Sequence, residues 1–295
     1  MTNQTNSGKS MGMLLGAVTI FSTVGAVGKL ISIPAAFLTL FRGIIGSLFL
    51  MLLVALSGKK FAFDIVKKNF WKLVASGIGM AMNWLLYFES LNYTSVAVAI
   101  VCNYMAPIIV VLASPFVFGE KLTKKKVICV VTALIGIVFV SGLIGSDLSG
   151  SSNFIGVIIA LISAFFYAEM IIMNKVVSDV PAYDKTIVQM ITVAVIVGPY
   201  AFMTQDISTV AFTPAVIALI IYIGIVNTGI AYALYFGSMA GLKAQTVAII
   251  SYIDPILAVF ISAVIMHEPM TLMTLIGAAL VIGSTLISEL PEKRK

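Results

Sequence analysis

The chain is poor in charge. Only 10% of its 295 residues are Asp, Glu, Lys or Arg, while 60% are hydrophobic, and mean hydropathy is +1.11. A water-soluble domain keeps about 25% charged residues on a hydrated surface, so most of this exterior must face lipid. Histidine is almost missing too. His267 stands alone, and His267-Glu268-Pro269 is not the His-Glu-x-x-His zinc arrangement, so no metal is expected. The two cysteines, Cys102 and Cys129, lie inside apolar runs, which excludes a disulfide framework. No Gly-x-x-x-x-Gly-Lys-Ser/Thr loop occurs, so ATP hydrolysis is excluded and no cofactor is expected. Nor do scattered acids and one histidine make the catalytic cluster that an intramembrane enzyme needs.

What the chain does have is apolar length. A bilayer core takes about 20 apolar residues per helix, and ten such stretches can be read: 11–29, 35–56, 70–90, 94–117, 124–143, 153–175, 185–203, 213–237, 244–266 and 271–288. Pro214 marks a helix start, where its missing N–H costs little. The softest segment, 145–153, is rich in Gly and Ser and falls mid-chain. The net charge of +6 sits in the short loops, where it reads as a topology signal and not as a nucleic-acid surface. With the N-terminus in the cytoplasm, 16 of the 18 Lys and Arg residues fall inside; Lys29 lies near the outer side and Arg42 within the second span. The expected fold is an all-α integral membrane protein of ten transmembrane helices with both termini cytoplasmic.

The sequence also repeats itself. Sliding it by 148 positions aligns Leu86-Tyr87-Phe88 with Leu234-Tyr235-Phe236, Tyr104 with Tyr252, Pro107 with Pro255, Ser114 with Ser262, Glu120 with Glu268 and Thr123 with Thr271. Over 85–123 against 233–271, 11 of 39 positions are identical, where composition alone gives roughly three or four. Five spans per copy is odd, so the second copy is inverted. Two repeats, 1–144 and 153–295, are therefore expected in one membrane domain, the arrangement used for alternating access.

Tyr87-Phe-Glu-Ser-Leu-Asn-Tyr-Thr-Ser-Val-Ala-Val-Ala99, then Pro107 and Gly119-Glu-Lys-Leu-Thr123, resembles the repeat of the drug/metabolite transporter superfamily, in its ten-helix EamA-type branch. Tyr235-Phe-Gly-Ser-Met-Ala240, Pro255 and His267-Glu-Pro-Met-Thr271 match the same pattern, and Arg42 fits an Arg common in the second helix of such proteins. The resemblance implies a cytoplasmic-membrane carrier that exports or exchanges a small metabolite, with a central cavity lined by helices 1, 3, 4, 6, 8 and 9. The chain departs from the pattern at His267, where Gly is usual, and at Gln189, near the place where a second Arg would map.

A charge at the bilayer centre costs roughly 2.5–3.5 kcal/mol on insertion scales, so each marks a candidate. Arg42, Glu169 and Asp254 are central, with Lys29 and Glu89 nearer the outer boundary. Lys29, Arg42, Glu169 and Asp254 are the candidates for charge or proton coupling. Asn83, Tyr87, Asn103, Tyr167, Tyr235, Ser251 and Asp254 are the expected substrate contacts. Ser76, Met80, Asn83, Tyr87 and Ser90 share one helix face, and so do Ser163, Tyr167, Met170 and Asn174. Pro107 and Pro255 are the expected helix hinges, Pro255 freeing the Ser251 carbonyl one turn back. Blander roles stand beside these. Arg42 pairs with Glu169 or a helix end, the tyrosines pack at interfaces, and Glu120 and Glu268 cap the helices that follow them. Glu169 lies about 160° around its helix from Tyr167, off that face. The expected partners are a small-molecule substrate, an amino acid or related zwitterion by the charges available, and membrane lipid, with no nucleic acid, the chain being a monomer or homodimer. A passive channel and an intramembrane enzyme are the competing classes.

Overall fold

Proline and hydroxyl residues set where the helices begin. The structure, a computed structural model, describes residues 2–58, 60–119, 122–140, 152–239, 241–242 and 244–290. Glu120 and positions 145–151 of the soft segment lie outside the described residues. The chain opens with α1 (Thr2–Ser22) and α2 (Val24–Leu30), followed by α3 (Ala35–Leu56), α4 (Phe63–Lys68), α5 (Phe70–Ser90), α6 (Val96–Asn103), α7 (Ala106–Phe118) and α8 (Lys124–Val140). Then come α9 (Ser152–Val176), α10 (Ala182–Thr204), α11 (Pro214–Gly224), α12 (Ala231–Ser238), α13 (Ala244–Ser251), α14 (Ile253–Phe260) and α15 (Leu272–Glu289). Pro34 and Pro181 stand immediately before α3 and α10. Ser95, Thr213 and Thr271 accept the N–H three residues on and so cap α6, α11 and α15. Pro214 occupies the first turn of α11, as its position predicts.

Each of the ten apolar stretches is helical over its described residues, but several are not single rods. The stretch 94–117 breaks between α6 and α7, because Pro107 cannot donate to the carbonyl four residues back. The break between α13 and α14 sits at the same place relative to Pro255. The stretch 213–237 widens into a π-type turn at Ile225–Ile230, and Ile261–Ile265 forms a second. In the first, the Thr228 hydroxyl donates to Ile223 O, 2.8 Å away and five residues back, while Asn227 Nδ2 donates to Ile20 O and Thr23 Oγ1. The Thr228 hydroxyl thus satisfies a carbonyl within its own helix, and Asn227 ties the turn to the end of α1.

Among the described residues, six helices are long and apolar enough to cross a membrane: Gly8–Leu30, Ala35–Leu56, Val96–Phe118, Ser152–Val176, Ala182–Thr204 and Pro214–Ser238. Ile253–Ile265 and Leu272–Ser288 are shorter apolar helices. Their outer faces carry exposed Leu, Ile and Phe, with Phe116 91% and Met203 85% accessible, a surface suited to acyl chains. Because lipid is as apolar as leucine, helix association here depends on close packing. The tightest pairs are α5 with α9, α8 with α15, and α3 with α10; α1 also packs along α12. At the α8–α15 crossing Gly136 and Gly277 face each other, and a Cβ at Gly277 would stand 2.6 Å from Gly136 O.

Candidate functional site

Where α1, α2, α3, α5, α6, α9, α10 and α12–α14 converge they leave a cavity of about 390 Å³, within the range of small-molecule sites. Asn83, Tyr87, Asn103, Tyr167, Tyr235, Ser251, Asp254 and Arg42 all line it. Lys29 and Glu169 do not. The resemblance implied six contributing helices; Arg42 of α3 and Ala182, Lys185, Thr186 and Gln189 of α10 add the second span of each half. Rings form much of the wall: Phe21, Trp84, Tyr104, Tyr232 and Phe236 join the expected tyrosines. Tyr232 lies one turn before Tyr235, so helical spacing could have found it. Trp84, its counterpart 148 positions earlier and three residues before Tyr87, carries the same signal; Phe21 carries none, and only the packing of α1 on α12 brings it to 5.2 Å from Tyr232.

Arg42 is buried. Its guanidinium lies 3.8 Å from the Trp84 ring centroid, and Nε donates to Thr228 Oγ1 at 2.8 Å. The expected alternative, a pairing with Glu169, is not made; among the described residues Arg42 has no ion pair. The reason is geometric, since Glu169 packs onto α5 at Gly79, where a Cβ would overlap its carboxylate. Glu169 Oε2 is buried there without a hydrogen-bond partner.

At the break between α13 and α14, Tyr104 Oη donates to Asp254 Oδ2 at 2.8 Å and lies 3.4 Å from Ser251 O, the carbonyl released by Pro255. Asp254 Oδ1 is buried with no partner. The asparagines differ from it, because each holds a partner on another element. Asn83 Nδ2 donates to Asn103 Oδ1 at 2.8 Å and to Ser163 Oγ at 2.9 Å, and Ser163 Oγ donates to Asn83 O at 3.0 Å. This closed network ties α5, α6 and α9 together. A second one, Gln189 Nε2 to Ser76 Oγ at 2.6 Å and to Asn174 Oδ1 at 2.7 Å, ties α10 to α5 and α9. Ser76, Ser90 and Ser163 therefore serve packing and do not line the cavity. Lys185, Asn174 and Ala182 define one end of it and are half-exposed.

The expected cap at Glu268 is corrected in its target. Thr271 caps α15, whereas Glu268 Oε2 accepts from Val96 N at 2.9 Å, at the start of α6. Lys29 Nζ donates to Glu268 Oε1 at 2.5 Å and to Thr94 O at 3.0 Å. His267 adopts a left-handed φ of 53°, and Gly119, its counterpart 148 positions earlier, a φ of 66°. Glycine suits that conformation best, which explains the usual Gly at this point of the pattern.

A ring-lined cavity with a few polar and charged groups, enclosed by apolar helices, is the kind of site that a membrane transporter uses. The EamA-like transporter family pattern matches this chain over residues 8–142 and again over 154–289. The chain belongs to that family, and is a multi-pass cell-membrane transporter and not an enzyme. Similar proteins include an uncharacterized transporter YxxF of Bacillus subtilis, 28% identical over 84% of this chain and 79% of its own length. Another B. subtilis uncharacterized transporter, YwfM, is 28% identical over 92% and 90%, and one from Archaeoglobus fulgidus is 24% identical over 84% and 86%. A protein of known crystal structure, 19% identical, shares the fold with a TM-score of 0.67 over 95% of this chain and 96% of its own.

Proposed function

We propose that the chain is a secondary carrier that exports or exchanges a small zwitterionic metabolite, such as an amino acid or a relative, across the cytoplasmic membrane by alternating access. The observation that carries this reading is the charge pattern of the cavity. It holds a guanidinium with no acidic partner among the described residues and a carboxylate with one buried, unpartnered oxygen. A buried charge without a partner is costly in a membrane, so a solute bearing both an anionic and a cationic group complements the pair. The surrounding rings suit its apolar part.

In this reading the ten spans form two inverted halves, 1–144 and 153–295, with both termini cytoplasmic. Several observations support the duplication. The breaks near Pro107 and Pro255 match, as do the left-handed residues 119 and 267. The packing of α5 on α9 is mirrored by that of α12 on α1. The second spans also reach across in the same way, Arg42 to Thr228 and Gln189 to Ser76. With no ATP-binding loop, an ion gradient or counter-exchange supplies the energy, and the breaks at the two prolines are where the halves bend.

The test is counterflow in proteoliposomes holding a metabolite panel. Preloaded solute should accelerate uptake of its labelled form, with saturation. Flux that neither saturates nor shows counterflow identifies a pore and removes the carrier reading.

A further inference from the structure

We infer that Lys29 and Glu268 form the latch that closes the outer end of the cavity, and that its breakage admits solute from that side. The inference rests on the carrier reading above and adds the group that decides which face is open.

One carboxylate joins elements from both halves of the chain. Glu268 Oε1 accepts from Lys29 at the end of α2, while Oε2 accepts from Val96 N and from the Ser262 hydroxyl. Lys29 holds Thr94 O as well, and Ser262 Oγ accepts from Ala97 N at 3.3 Å. The first N–H groups of a helix have no partner within it. Here Val96 N and Ala97 N find theirs in Glu268 and Ser262, from the far half of the sequence, whereas Val98 N is held locally by Ser95. Such an end is stable dry against its partner and stable wet when the partner leaves, since water can replace both acceptors. That is what a two-state contact requires.

The position also fits. Between the latch and the cavity lies a plug around Gly25, one turn before Lys29. A Cβ at Gly25 would stand 2.5 Å from the Tyr87 hydroxyl and 2.7 Å from Val96 Cγ1. Tyr87 and Val24 already line the cavity. The Lys29 and Glu268 side chains are 32% and 10% accessible, so the pair sits at the boundary where water can reach it once the elements part. The opposite end of the cavity, at Asn174, Ala182 and Lys185, has no part in this contact.

The test uses the full chain in membranes, with Cys102→Ala and Cys129→Ala as parent and Val24→Cys as reporter. A membrane-impermeant methanethiosulfonate reagent is applied to one face at a time. The parent should be labelled from the Lys185 face and protected from the Lys29 face. Lys29→Gln and Glu268→Gln should each speed labelling from the Lys29 face by roughly three- to tenfold, as expected for releasing a half-buried pair. Glutamine at 268 still accepts from Val96 N, so loss of local structure alone does not produce this. Unchanged labelling from the Lys29 face in both variants overturns the latch. Should the variants fail to accumulate, spin labels at Leu30→Cys and Leu272→Cys in the parent read the same movement. Two distance populations support the latch and a single one overturns it. Wild-type counterflow separates the two claims: if it is normal while labelling is unchanged, only the latch falls, and if it is absent, the carrier reading falls first.

Discussion

Asp254 and Arg42 are the residues on which recognition turns. Asp254 has one oxygen held by Tyr104 and the other buried without a partner. Hydrogen bonds to charged groups contribute about 1.5–3 kcal/mol, so Asp254→Asn should weaken an ammonium-bearing solute roughly 10- to 100-fold. The concentration dependence of counterflow measures this, and an unchanged half-saturation would remove Asp254 from the site. Arg42 is fixed differently, by a ring below its plane and by Thr228 at Nε. Lysine has neither the flat face nor that N–H, so charge alone does not describe its role. Asn83, from its helix face, and Asn103 were expected to meet substrate, and both line the cavity. In the folded chain Asn83 and Asn103 bind each other and Ser163. Sequence cannot reveal such pairing, because it does not show which polar groups meet across helices.

Among the elements, the broken helices and the tight crossings have separate causes. The breaks after α6 and α13 follow from proline and were legible in advance. The π-type turn at Ile225–Ile230 was not, since it depends on Asn227 and Thr228 finding partners on α1 and within their own helix. The α8–α15 crossing depends on two glycines. Gly277→Ala should lower thermal stability by about 1–3 kcal/mol, because its Cβ would meet the Gly136 backbone at 2.6 Å. Gly283, on the same helix with nothing within 4 Å, is the control, and Gly283→Ala should be neutral. Equal melting shifts for the two variants in detergent would show that the crossing is not close-packed.

For the molecule as a whole, what matters is how one half is tied to the other at each end of the cavity. At one end Lys29 of α2 meets Glu268; toward the other, Lys175 near the end of α9 lies 3.8 Å from the centroid of the Phe118 ring at the end of α7. If the halves are inverted copies, these contacts occupy corresponding places. Lys175→Gln should then act opposite to Lys29→Gln, speeding labelling of Val24→Cys from the Lys185 face by roughly two- to fivefold, the scale of a cation–π contact at a partly exposed site. Unchanged labelling from the Lys185 face, or faster labelling from the Lys29 face, would contradict the inverted arrangement of the two contacts.

The sequence by itself determined the membrane setting, the helical stretches, the family and the proline breaks. Each depends on composition, local periodicity or a backbone restriction that acts within one segment. Tertiary structure alone decided which charges share the cavity. Arg42 and Asp254 line it, Glu169 packs against Gly79, and Lys29 lies beyond the lining, paired with Glu268. The physical reason is that a charge in a membrane takes its role from the partner it reaches, and those partners lie far away along the chain, across helix interfaces that no local pattern records.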